Sequence, residues 1–133
     1  MIVADTNILA YLYLPCEHTL AAETLLQRDA DWAAPVLWRS ELRNVLALYL
    51  RRATISFERA YAIQREAEQL LTGNEFELDS FDVLSLAHTR GLSAYDAEFA
   101  VLAQQLKVPL VTMDRRLLEK LPDTASSLEY FVC

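Results

Sequence analysis

Met1-Ile2-Val3-Ala4-Asp5-Thr6-Asn7 is a short apolar run that breaks off in a carboxylate and two small polar side chains. A continuous β-branched run of this length, followed at once by a helical pattern, marks a strand buried on both faces of a parallel α/β sheet. Asp5 then stands at the carboxyl end of that strand, which is where open parallel sheets bind their ligands. Asp is also a preferred helix N-cap, so the position by itself leaves two roles open.

Downstream, Ile8 to Leu14 reads as an apolar helix stopped by Pro15, and His18 to Arg28 as a second helix with Leu20, Leu25 and Leu26 turned inward. Trp32-Ala33-Ala34, before Pro35, suits a second short strand. A long helix from about Leu37 to Arg52 follows, with Trp38, Leu42, Val45, Leu46 and Tyr49 on one face. Ser56 can cap a further amphipathic helix whose stripe is Ala60, Tyr61, Ile63, Ala67, Leu70 and Leu71, ending near Gly73, so the two long helices form a hairpin. Phe76-Glu77-Leu78 is the third strand expected, and Ser80 is expected to cap a helix that ends at Gly91. His88, alone near the end of that helix, reads as a structural residue or dipole partner rather than a ligand. The most uniformly apolar helix runs from Ser93 through Phe99 to Leu106, a pattern that requires burial on most sides. Lys107 to Thr112 turns into another buried strand ending in Met113-Asp114, a short helix carries Leu117 and Leu118, and Leu128 to Val132 is expected to add an edge strand.

Four acids stand out on this frame. Asp5 and Asp114 each end a strand, Asp96 opens the buried helix, and Glu41 lies among apolar neighbours, four residues from both Leu37 and Val45. Each has a purely structural explanation. Asp5 and Asp114 suit N-caps, Ser93 with Asp96 matches a capping box, and Glu41 can pair with Arg52 or extend to solvent. Together, however, all four belong to positions that a parallel sheet brings to one crevice.

Composition narrows the function classes. The 133 residues, 53% of them hydrophobic, suit a single domain spanning 1–133 with a sizeable core. No repeat, low-complexity segment, basic leader or apolar run of about 18 to 20 residues interrupts the sequence, which leads to the expectation of a cytoplasmic protein. Cys16 and Cys133 are far apart and lack zinc-ligand spacing with His18 or His88, so neither a zinc site nor a disulfide framework is expected. A net charge of −7 argues against charge-driven nucleic-acid binding, unless the acids converge on divalent cations that reverse the local sign. The basic residues are mostly Arg, with the pairs Arg51-Arg52 and Arg115-Arg116 as candidate phosphate contacts.

Asp5-Thr6-Asn7, Glu41 within a long helix, Ser93-Ala94-Tyr95-Asp96-Ala97, and Val111-Thr112-Met113-Asp114, in this order and spacing, resemble the PIN-domain nucleases, specifically the VapC toxins of type II toxin-antitoxin systems. The resemblance implies a three-layer α/β/α fold around a mainly parallel sheet. It also implies metal-dependent endoribonuclease activity carried by Asp5, Glu41, Asp96 and Asp114, with Asn7 and Thr112 as supporting polar residues. An RNA substrate, a cognate antitoxin and a homodimer are implied as partners, and Mg²⁺ or Mn²⁺ as cofactor.

The physical chemistry of the residues is compatible with that implication. Carboxylates forced together repel and raise one another's pKa values, and hard divalent cations with oxygen ligands relieve the repulsion while activating a water for two-metal hydrolysis. Other doubly wound phosphate enzymes fit less well. A receiver-type phosphoacceptor needs an acidic neighbour to Asp5 and a Lys after a late strand, and a haloacid-dehalogenase-type phosphatase needs an Asp where this chain has Asn7. A PIN-fold nuclease with a non-toxin RNA-processing role and a non-catalytic relative that binds RNA or protein are the alternatives carried forward.

Overall fold

The computed structural model describes residues 1–132. Five strands, β1 (Ile2–Ala4), β2 (Trp32–Pro35), β3 (Glu75–Phe76), β4 (Leu110–Val111) and β5 (Ala125–Ser126), form one sheet in the order β3-β2-β1-β4-β5. Every pairing is parallel, with Ile2 opposite Trp32, Val3 opposite Leu110 and Ala34 opposite Glu75. The opening run is therefore the central strand, and Ile2, Val3 and Ala4 are buried because helices cover both faces.

The helices are α1 (Thr6–Tyr13), α2 (Thr19–Arg28), α3 (Trp38–Arg51), α4 (Phe57–Leu70), α5 (Ser80–Arg90), α6 (Ala94–Leu106), α7 (Arg115–Lys120) and α8 (Leu128–Val132). Right-handed crossovers put α1 to α4 on one face; the chain then crosses beyond β1 to reach β4, which turns α5 and α6 onto the other. The result is a three-layer α/β/α fold. Helix α6 lies against β1, β2 and β4, and for that reason Phe99, Ala100, Leu102 and Ala103 are all buried.

Several local expectations need correction. The third strand begins one residue and ends two residues earlier than expected, because Asn74 and Phe76 carbonyls accept from the Ala34 and Val36 amides. The cap of α5 is Asp79 rather than Ser80, since the Asp79 carboxylate accepts from the Phe81 and Asp82 amides. The tail is the helix α8 rather than an edge strand: Leu128 is buried and Phe131, three residues on, packs on the core, a helical spacing that docks on α2. The last strand position belongs instead to Ala125–Ser126, a pair too short to carry a period. Leu20 faces solvent, opposite the buried Ala22 of its own helix, and Tyr61 is likewise exposed, stacked on Phe57 at 6.4 Å. Cys16 is exposed, whereas Cys133 lies outside the described residues. No helix among the described residues is long and apolar enough to cross a membrane.

Candidate active site

Asp5 is the hub. It follows β1 at the sheet's carboxyl edge, its backbone is extended, and its Oδ1 accepts from the Thr6 amide at 2.8 Å, so it does cap α1. Its other oxygen faces the neighbouring strand. There the fully buried Thr112 hydroxyl donates to Asp5 Oδ2 at 2.7 Å, and Asn7 Nδ2 reaches the same oxygen at 3.4 Å. The cap and the site are one residue using two oxygens.

Thr112 and Asn7 join the β1 end to the β4 end. The Thr112 oxygen accepts from the Asp114 amide at 3.0 Å and from Asn7 Nδ2 at 3.4 Å, and Asn7 Oδ1 accepts from the Met113 amide at 3.4 Å. Asp114 in turn caps α7 through the Arg116 amide at 2.9 Å. This seam between β1 and β4 is also where the chain reverses its direction of travel through the sheet, the usual location of a crevice in open α/β folds.

Glu41 and Asp96 approach from the two helical layers. Glu41, in the first turn of α3, accepts the Thr6 hydroxyl at 2.7 Å, so its polar partner is the residue beside Asp5 and not Arg52. Asp96 forms only half of a capping box. Its amide donates to Ser93 Oγ at 3.1 Å, while its carboxylate is turned to Arg116, whose Nη2 lies 3.3 Å from Asp96 Oδ2.

The electrostatics follow from that placement. Burial pushes the Asp5 carboxyl up from 3.8 to about 6; the Thr112 and Thr6 hydrogen bonds oppose the rise, and the charges of Glu41 and Asp96 add to it. Burial likewise raises Glu41, against the Thr6 hydrogen bond and with the charges of Asp96 and Glu98. Asp5, Glu41 and Asp96 thus share one electrostatic environment, while Asp114 is tied to Asp5 through the Thr112 hydroxyl. Among the described residues, no three His, Cys, Asp or Glu side chains are already gathered as a metal cage. Each of the four acids places an oxygen on a protein donor.

Two participants carry no assigned role in the sequence, and a third, Arg116, reads there only as a candidate phosphate contact. Thr6 is the hydroxyl that steadies Glu41; Arg116 is the cation on Asp96; and Glu98, half-buried on α6, is a further carboxyl pushed up by burial. The adjacent Arg115-Arg116 pair was the one visible signal for Arg116. For Glu98 there was none, since it lies two residues from Asp96, on a different face of the helix.

Comparison with known proteins gives a consistent picture. The PIN domain family model matches residues 2–123. Ribonuclease VapC3 from Pyrobaculum aerophilum is 28% identical over 126 residues, covering 91% of this chain and 95% of that one. Among solved structures, PAE2754 from Pyrobaculum aerophilum superposes with a TM-score of 0.79 at 23% identity, over 98% of this chain and 85% of that one. A toxin-antitoxin complex from Klebsiella pneumoniae gives a TM-score of 0.70 at 17% identity, over 96% and 98% of the two chains.

Proposed function

Because this chain belongs to the PIN-domain family, we propose that its acidic crevice hydrolyses RNA phosphodiesters with a divalent cation, Mg²⁺ or Mn²⁺, and that the protein is the toxin of a toxin-antitoxin pair. The observation that carries the reading is Asp5 at the carboxyl end of the central strand, its carboxyl raised chiefly by burial, with the charges of Glu41 and Asp96 adding to the rise. Such an arrangement lacks positive charge for its own stability, which is a poor choice for a cap and a good one for a cation site.

The donor set fits the cation. All four acids offer hard oxygen ligands, and among the described residues the cation paired with them, Arg116, sits on Asp96 in a solvent-exposed pair of the kind worth little. Asp5, Asp96 and Asp114 would hold the ion, directly or through water, with Glu41 either joining them or orienting the attacking water. When bound, such an ion supplies charge neutralisation, a more acidic water and stabilisation of the leaving oxygen. The protein's own contribution is positional. The Thr112 hydroxyl and the Thr6 amide hold both Asp5 oxygens in fixed directions, and the Thr6 hydroxyl holds Glu41 close to Asp5. Asn7 and Thr112 keep the β1 and β4 ends in register, so that Asp5 and Asp114 face the same crevice.

The toxin assignment draws on the name of the VapC3 relative and on the toxin-antitoxin complex among the structural neighbours. A cognate antitoxin and a homodimer are part of the proposal, the latter checked by light scattering of the purified chain. The activity is tested by incubating single-stranded RNA with purified protein and Mn²⁺ or Mg²⁺, with EDTA, Asp5→Asn and Asp96→Asn as controls. Cleavage abolished in all three controls is expected; cleavage that survives EDTA would overturn the mechanism. Induction in cells separates toxin from processing enzyme: wild type should arrest growth and Asp5→Asn should not.

A further inference from the structure

Beside the acidic crevice, at the same carboxyl edge of the sheet, the structure holds a cavity of about 380 Å³ between the β2 and β3 ends and α6. Its apolar walls are formed by Val36, Phe76, Leu78, Val83 and Leu84, and its polar border by Ser80 and two carboxylates, Glu77 and Glu98. Glu77 is exposed, whereas Glu98 is half-buried and makes no hydrogen bond or ion pair among the described residues. Ala94 and Glu98, four apart on α6, present one face to the cavity while Asp96 lies on another. Glu41 senses the charges of both Asp96 and Glu98, which couples crevice and cavity electrostatically.

We infer that this cavity receives the base of a nucleotide next to the cleaved phosphate, and that Glu98 makes it selective for guanine. The inference rests on the nuclease reading. Two border carboxylates repel phosphate, which excludes the strand's backbone from the cavity, whereas a base offers apolar faces to Val36, Phe76 and Leu84. A carboxylate accepts hydrogen bonds and cannot donate them. Among the four bases, guanine alone presents two adjacent donors, N1–H and the N2 amino group, on its pairing edge, matching two carboxylate oxygens; adenine, cytosine and uracil each present one donor group there. The volume lies within the roughly 300–1,000 Å³ typical of small-ligand clefts.

The test uses the full chain with Mn²⁺ and a pool of single-stranded RNA randomised around the cut, with cleaved ends sequenced for wild type and Glu98→Gln. Gln replaces one acceptor by a donor at nearly constant shape. Wild type should favour guanine at one position flanking the cut, and Glu98→Gln should reduce that preference about 5- to 100-fold, the range for losing one bidentate base contact. In parallel, guanosine titrated into the wild type should shift backbone amide signals of residues 76–84 and 94–98 more strongly than cytidine or uridine does, and Glu98→Gln should remove the difference. An unchanged base preference, or loss of cleavage with weaker Mn²⁺ binding and no change of preference, would overturn the inference by making Glu98 a structural group or a further cation ligand. If the wild type cleaves nothing, the nuclease reading fails, while the nucleoside titration still decides whether the cavity selects guanine.

Discussion

Replacing Asp5 with Asn should make the protein more stable at neutral pH, in spite of removing a well-bonded carboxylate. In the folded state burial raises the Asp5 carboxyl from 3.8 to about 6, so the native protein binds this proton more tightly than the unfolded chain does. Stability from this group is then fully present below about pH 3.8 and is lost as pH rises through about 6. At pH 7.5 the ionised side chain costs about 3 kcal/mol relative to its protonated form, from 1.36 kcal/mol per pH interval of one. Asn carries no charge and keeps one oxygen for the Thr6 amide, while its amino group points at the Thr112 oxygen that now donates to Asp5. Weakening that contact returns about 1 to 2 kcal/mol, which leaves a net gain of about 1 to 2 kcal/mol for Asp5→Asn at pH 7.5. The check is urea denaturation of wild type and Asp5→Asn in EDTA at several values between pH 4.5 and 8, with the stability difference plotted so that other titrating groups cancel. The difference should grow in favour of Asn from pH 5 to pH 7 and then level off. Adding Mn²⁺ at pH 7.5 should stabilise the wild type and not the variant. A pH-independent difference, or a variant less stable at pH 7.5 than at pH 5 relative to wild type, would refute the claim that Asp5 is a charge buried at a cost.

Further outcomes follow from the same network. Thr112→Val keeps the shape but removes the hydroxyl that donates to Asp5 and accepts from Asp114, so it should cost about 1 to 3 kcal/mol in denaturation and weaken Mn²⁺ binding measured by calorimetry. Arg116→Ala releases Asp96 from its guanidinium; calorimetry should show Mn²⁺ bound a few fold more tightly, with stability changed by less than about 0.5 kcal/mol because the pair is exposed. Glu75→Ala strips the edge strand β3 of a carboxylate that accepts from Arg39 Nε and Nη2, at 2.6 and 2.7 Å, and from the Trp38 indole at 2.9 Å. The fully buried Trp38 indole loses its acceptor, and a fall of about 1 to 3 kcal/mol is expected in thermal or urea unfolding.

The parallel sheet, its central strand and the sequence order of the long helices were legible in the chain, because burial on both faces forces uninterrupted apolar strands and 3.6-residue stripes leave their own period. Two of the four acids were legible as candidates for the same reason: a strand has an end, Asp5 follows β1 directly, and Asp114 lies three residues beyond β4. Two-residue strands were legible unevenly: Leu110–Val111 falls inside an expected strand, Glu75–Phe76 only overlaps one, and Ala125–Ser126 falls in none. Glu75–Phe76 and Ala125–Ser126 are too short to carry any period, and the tail beyond them took the helical form that lets Leu128 and Phe131 share one face against α2. The sequence likewise could not say whether Asp5 is a cap or a ligand candidate, because that depends on which oxygen meets which neighbour. Only the pairing of β1 with β4 answers it, by bringing a hydroxyl 107 positions away in sequence to within 2.7 Å of the oxygen that the cap leaves free. Glu98 belongs to the same class. Its neighbours Val36 and Phe76 come from the ends of two other strands, and long-range packing alone decides whether a helical glutamate looks at water or into a cavity.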